Sequence, residues 1–379
     1  MSVLTLERPA APTAPAAAAD VPTAAPPARR GTVRRHRLIA SVSRLWRWEF
    51  WPAWLFYAPV AAWIVLKSLR RGGLRGFASV TAANPGIPPD GGFVGESKRQ
   101  ILAALPADRV VPYFRVPPAP AADRAALVER EMAARGWSFP VVLKPDVGQR
   151  GAGVAVARNP ADVGAHLAGC RGDLIAQRYH PGPHEAGVFY YRLPGEERGR
   201  IFSITEKVFP EVAGDGASTL ADLVWRHPRY RMQARLFLAR LAGRADEVLP
   251  AGHRVALGWV GNHCQGTLFR DGWHLWTPAL EAEVDRVARA FPGFHFGRFD
   301  VRFTDPAAFS AGTDFGIVEL NGVTSESTDI YDPARSLWSA WRKLARQWDV
   351  LFAIADANLA LGYRPMPWRD LWRRVRLMP

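Results

Sequence analysis

Apolar and polar positions along the chain fall into two alternating periods. Short runs that alternate, or are apolar throughout, predict strands at 141–144, 154–157, 174–177, 188–192, 201–207, 254–260, 297–303 and 316–320. Runs with apolar residues three and four apart predict helices at 97–105, 121–135, 160–168, 219–226, 229–242, 278–290 and 333–361. Strands separated by helices make the body, from about residue 96 onward, an α/β or α+β unit. No internal repeat is visible.

The ends depart from this pattern. Residues 1–35 are rich in Ala, Pro and Thr and close on a basic run, with too little apolar surface to offset the entropy of ordering, so a disordered arm is expected. Residues 50–66 carry no charge and are flanked by Arg44, Arg47 and Glu49 before and by Lys67, Arg70 and Arg71 after. That run sits at the short edge of a membrane span. Pro52 and Pro59 interrupt it, and Trp46, Trp48, Trp51, Trp54 and Trp63 cluster around it, which suits the headgroup region. A shallow or re-entrant membrane helix is one reading, and a helix packed on the main body is the other. Near the C-terminus, Trp368, Leu371, Trp372 and Val375 recur at helical spacing among arginines, a basic amphipathic helix suited to anionic lipid or to simple docking.

Charge and composition narrow the picture. Lys and Arg outnumber Asp and Glu by 49 to 35, and a net charge of +14 favours anionic company: lipid, nucleic acid or nucleotide. The body shows no aromatic-basic platform, so nucleic acid is not expected as a partner. Cys170 and Cys264 are too few and too isolated for a disulfide framework or zinc knot. Residues 1–27 lack the basic start and compact apolar run of a secretory signal, so a cytoplasmic protein, at the cytoplasmic face of the membrane, is expected.

Two constellations carry chemistry. In the first, an apolar strand ends on Lys144 and leads into a loop with Gly148, Gly151 and Gly153. Glycines let backbone N–H groups wrap a phosphate chain, and the ammonium neutralises it. The loop is neither a Walker A sequence nor a Rossmann fingerprint. In the second, Gly-Arg298-Phe-Asp300-Val-Arg302 precedes Val-Glu319-Leu-Asn321. Strand alternation turns Glu319 and Asn321 to one side. If Asp300 lies on the neighbouring strand, three hard oxygens converge as magnesium requires. Arg298 shares the face of Asp300, as does Arg302, a further phosphate contact or a solvated arginine.

From about residue 97 to 360 these motifs resemble the ATP-grasp ligases. GRFDV with VELN is similar to the magnesium strands of the D-alanine–D-alanine ligase branch, while Val212-Ala-Gly-Asp-Gly-Ala-Ser-Thr-Leu220 and Gly261-Asn-His-Cys-Gln-Gly-Thr267 resemble loops of the cyanophycin-synthetase and RimK-like branches. The resemblance implies an α+β ATP-grasp fold, two α/β subdomains clasping ATP, over residues 96–365. The arm (1–35), the Trp-rich segment (36–95) and the basic tail (366–379) would be appendages. It implies that Lys144 contacts the α/β phosphates, that Gly151 and Gly153 belong to the closing loop, that Gln177 sits by the adenine hinge and that Glu185 takes the ribose hydroxyls. Lys207 would approach the terminal phosphate, Arg298 would stabilise the charged intermediate, and Asp300, Glu319 and Asn321 would bind magnesium, or manganese in its place.

Two departures bear on the acceptor substrate. Gly-Val-Thr-Ser-Glu-Ser-Thr-Asp329 follows Asn321 where the ligases have Ser-Pro-Gly, and the usual folded N-terminal domain is replaced by the arm and the Trp-rich segment. The expected activity is ATP- and magnesium-dependent joining of a carboxylate to an amine through an acyl phosphate. The alternative is a non-catalytic or regulatory ATP-binding protein of the same fold at the membrane. His263 is read as a polar group of a Gly-rich loop rather than a base, and His180, His184 and His295 are not arranged as metal ligands.

Overall fold

The computed structural model describes residues 30–148, 151–241, 243–258 and 261–377, with backbone alone for 30–34. Helix α1 (Arg30–Trp46) begins within the last residues of the stretch read as an arm, and residues 1–29 of that stretch lie outside the described residues. The uncharged run is split into α2 (Ala53–Phe56) and α3 (Ala58–Leu69). Pro59 falls in the first turn of α3, where its missing N–H would have had no helical partner. Then come α4 (Leu74–Ala78) and α5 (Lys98–Ala103), the latter capped by Ser97, whose hydroxyl accepts from the Gln100 amide.

The first sheet is built from β1 (Tyr113–Val116), β2 (Val141–Pro145), β3 (Ala155–Ala157) and β4 (Leu174–Arg178), in the antiparallel order β1-β4-β2-β3. Helices α6 (Ala121–Ala134) and α7 (Pro160–Ala168) cover one face, over Val141, Leu143, Leu174 and Ala176. Alternation along β2 and β4 therefore turns Lys144, Ile175 and Gln177 to the opposite face.

The second sheet begins with β5 (His184–Tyr191) and β6 (Arg200–Val208). The chain then leaves it for a small lobe of β7 (Glu211–Ala213), α8 (Leu220–Arg226), α9 (Ala234–Arg240) and β8 (Arg254–Ala256), with its own apolar cluster around Trp225 and Phe237. It returns through β9 (Leu268–Asp271), α10 (Pro278–Arg289), β10 (Phe296–Phe303), α11 (Pro306–Ser310) and β11 (Gly316–Asn321). The antiparallel order is β11-β10-β5-β6-β9. Val188, Tyr190, Phe299 and Val301 point to the side packed by α10.

On the other side, α12 (Leu337–Ala360) packs against Phe189 and Phe296. The far end of that side bears Glu185, Lys207 and Asp300, and Lys144 of the first sheet reaches β11 there. The last helix is α13 (Trp368–Arg376).

Three strands lie outside the sequence expectation. β1 is four residues between prolines, β7 is three residues, and β9 ends on two charged residues, all too short or too polar to show a period. The helix expected at 229–242 is a 3₁₀ turn at Tyr230–Gln233 followed by α9.

Of the two readings of 50–66, the structure shows the packed helix, and among the described residues no helix is long and apolar enough to cross a membrane. Instead α3 packs on α12. Phe56 and Val60 are buried with Ile330, Ala340 and Leu344, and the Trp63 indole donates to Asp349 at 3.0 Å. Lys67 pairs with Asp349 at 2.8 Å and Arg71 with Asp356 at 2.7 Å. Just before α2, the buried Glu49 carboxylate is bonded by Arg229 and lies 3.2 Å from His263. That accounts for His263 as a structural residue. α13 is tied down by buried Leu371 and by Arg374, which donates to the Val94 carbonyl at 3.1 Å.

Candidate nucleotide and metal site

The ionic residues singled out in the sequence meet where the two sheets face each other. Asp300 of β10 stands directly opposite Glu319 of β11 and Gly187 of β5, and Arg298 opposite Asn321. Gly187 supplies no side chain there, which leaves room for Arg298 and Asp300. Glu185 of β5 is opposite both Lys207 of β6 and Arg302 of β10, so the neighbouring strands place acid beside base.

The contacts are close. Lys207 Nζ lies 2.9 Å from Glu185 Oε1 and 3.1 Å from Asp300 Oδ1. Arg298 Nε donates to Asp300 Oδ1 at 3.0 Å, and its Nη1 donates to the Glu326 carbonyl at 2.9 Å. Asn321 Nδ2 donates to Asp300 Oδ2 at 3.3 Å. Arg302 Nε is 3.8 Å from Glu185 Oε2, with its guanidinium over Tyr179 and Phe209.

From the other sheet, buried Lys144 donates to the Val318 carbonyl of β11 at 2.7 Å, one residue from Glu319. Gln177 lies on the same face of the first sheet, but its side-chain amide donates to the Val111 carbonyl at 3.0 Å, so that group braces the entry to β1. Gly151 and Gly153 both have positive φ in the turn before β3, and a Cβ on Gly153 would press on Pro145 at 2.8 Å. The turn demands glycine there. Gly261 is similarly constrained, since a Cβ would strike the Glu185 carboxylate.

Electrostatics follow from burial with partners. Burial penalises the Lys144 ammonium more than Glu319 supports it, lowering its pKa to about 8. Burial also opposes charge on Lys207, but Asp300 and Glu185 outweigh it and raise its pKa. Burial pushes the Asp300 carboxyl up, yet Arg298 and Lys207 hold it down to about 2. Asp300 is therefore ionised throughout the physiological range.

One cation here escaped the sequence reading. Lys98, at the start of α5, donates to the Gly148 carbonyl at 2.8 Å and lies 3.6 Å from Glu319 Oε1, joining the glycine loop to the acidic strand. Nearby Glu96 is raised by burial. A lysine in a helix's first turn has the pattern of a solvated residue, and it is Asp146 that pins this turn to the loop, accepting from the Ser97 hydroxyl at 2.7 Å and from the Lys98 and Arg99 amides at 2.9 and 2.8 Å.

The donors suit a hard divalent cation. Two carboxylates and an amide lie together on adjacent strands, all oxygen-bearing. Among the described residues no three His, Cys, Asp or Glu side chains surround one point. A metal here would rest on Asp300, Glu319, the Asn321 amide turned oxygen-inward, and phosphate oxygens. A groove of about 640 Å³ lies elsewhere, lined by Tyr191, Phe202, Trp273, Lys343 and Arg346. The segment 325–329 parts it from the ionic cluster, with Ser327 and Thr328 bonded to Ser203 and Thr205.

Two facing antiparallel sheets with helices on their outer sides, and charged strand residues turned inward, match the architecture expected from the sequence. In sequence terms this is the two-sheet arrangement that the resemblance to the ATP-grasp ligases implies. No protein-family model matches the chain, and no curated protein matches it. The chain is similar to a solved bifunctional glutathione synthetase from Pasteurella multocida, with 18% identity over 62% of this chain and 34% of that one, at a TM-score of 0.33. It thus spans about a third of that protein's length. A D-alanine–D-alanine ligase from Bacillus anthracis is 14% identical over 70% of this chain and 67% of its own, at a TM-score of 0.39. The D-cycloserine synthetase DcsG is 16% identical over 74% and 80%, at a TM-score of 0.37.

Proposed function

We propose that the chain is an ATP-dependent ligase that joins a carboxylate to an amine. The observation that carries this is the meeting of Lys144 from one sheet with Asp300, Glu319, Lys207 and Arg298 from the other. Phosphoryl transfer needs little from a protein beyond position and compensating charge, and these residues supply both. Lys144 and the Gly151–Gly153 turn would hold the phosphate chain, with Lys98 beside them. Asp300, Glu319 and Asn321 would hold magnesium, which when bound would neutralise phosphate charge and orient the transferred group.

A carboxylate oxygen of the substrate attacks the γ-phosphorus, the bond to the β-phosphate bridging oxygen breaks, and ADP leaves. The amine then attacks the acyl carbon, inorganic phosphate departs with the electron pair of its C–O bond, and the amine proton passes to solvent. Both steps gather negative charge, and Lys207 and Arg298 face it from within a buried cluster where such charges act strongly. Burial of the cluster also shields the acyl phosphate from water.

The test is release of ADP and phosphate by purified protein with magnesium, across amino acids, short peptides and hydroxy acids. Turnover that requires a carboxylate and an amine together, and is lost in Asp300→Asn, supports ligation. Tight ATP binding with no turnover under any pair favours the regulatory alternative.

A further inference from the structure

We propose that the outer face of α2 and α3, with the neighbouring ends of α1, α4 and α13, docks in the plane of an anionic lipid bilayer. Among the described residues, exposed large apolar side chains are concentrated there: ten lie between Leu38 and Leu74, six between Leu361 and Leu377, and three elsewhere. Scattered apolar residues are ordinary on a protein surface, whereas a concentration on one set of adjoining helices marks an interaction face.

The inner and outer faces of this segment differ sharply. Phe56 and Val60 point inward and are 2% and 3% exposed, while Trp54 and Leu55 of α2 and Val65 and Leu69 of α3 point outward at 75%, 39%, 56% and 65%. No charge interrupts residues 50–66, so the outward face is wholly apolar. The helices adjoin: α3 packs on α4, and α4 on α13, whose Trp372 is 52% exposed. At the other end the Trp51 indole donates to the Leu45 carbonyl at 3.2 Å, placing the apolar end of α1 beside α2.

Charge selects the occupant. Arg44 in the last turn of α1, Arg70 at the end of α3 and Arg75 in α4 are exposed. Between residues 35 and 77 the only acid is Glu49, and it is turned inward to Arg229 and His263. The acids that adjoin it from α12 and α13 are each paired with a base, Asp349 with Lys67, Asp356 with Arg71 and Asp370 with Arg373. An apolar face with arginine in excess over acid is complementary to anionic headgroups over acyl chains. A second copy of this +14 chain would bring its own arginines against the rim and be repelled. The mode is in-plane: α3 has twelve residues and is about 18 Å long, against roughly 30 Å of hydrocarbon.

Flotation of the intact protein with phosphatidylcholine vesicles, with and without phosphatidylglycerol, tests this. The protein should float with the anionic vesicles, leave the neutral ones behind, and lose binding as salt rises. Trp54→Ser with Leu55→Ser, and separately Arg70→Glu with Arg75→Glu, should each weaken vesicle binding about ten-fold, with melting temperature and ATP binding unchanged. Absence of vesicle binding, equal binding to neutral vesicles, or a concentration-dependent dimer abolished by Trp54→Ser with Leu55→Ser would overturn the proposal.

Discussion

At the scale of single residues, Lys144 is the most informative. Its pKa falls from 10.5 to about 8 because burial disfavours the ammonium. The folded chain thus binds fewer protons than the unfolded one between pH 8 and 10.5, and Lys144 contributes stability that rises with pH in that window. A phosphate chain beside it restores the charge. Nucleotide binding above pH 8 should therefore take up a proton, seen by calorimetry in buffers of different ionisation enthalpy, and Lys144→Met should abolish that uptake. Asp300 behaves oppositely: its carboxyl is depressed to about 2, so its contribution is present above 3.8 and lost as pH falls through 2. Asp300→Asn removes a partner from buried Lys207 and Arg298 and should cost about 3 kcal/mol of stability in urea melts as well as turnover. Glu319, whose side chain keeps 31% exposure, tolerates Glu319→Gln better and separates chemistry from folding. Lys144, Asp300 and Glu319 were legible because strand alternation and a charged residue in an apolar run declare a face. Lys98 was not, because its role depends on a loop fifty residues away.

At the scale of elements, the sheets were more legible than what covers them. β2, β10 and β11 announce themselves by period, while β1 and β9 are edge strands whose place is set by their neighbours. The Trp-rich run illustrates the limit of hydropathy. Its lack of charge reports that both faces of α2 and α3 avoid water-loving residues, without saying that one face meets α12. The pairing of Glu49 with Arg229 and His263 is equally invisible in sequence, since these partners lie 180 and 214 residues away. Glu49→Ala leaves Arg229 buried without its carboxylate and should destabilise by about 3–5 kcal/mol in urea unfolding. Glu49→Gln, which keeps one acceptor, should lose less.

At the scale of the whole molecule, the N-terminal segment is part of the body. Removing residues 1–72 would uncover Ile330, Ala340 and Leu344 beneath α2 and α3, so that truncation should yield aggregated protein, measured by light scattering, rather than a soluble core. The two sheets form one site because Lys144 crosses to β11, and the account stands or falls on that crossing. Equilibrium binding of magnesium–ATP to the wild type, Lys144→Met and Glu319→Gln measures it most directly. The account predicts that both substitutions, on opposite sheets, weaken the same binding event about ten-fold or more while both proteins melt as the wild type does. Wild-type affinity in Lys144→Met, or no nucleotide binding by the wild type, would contradict it.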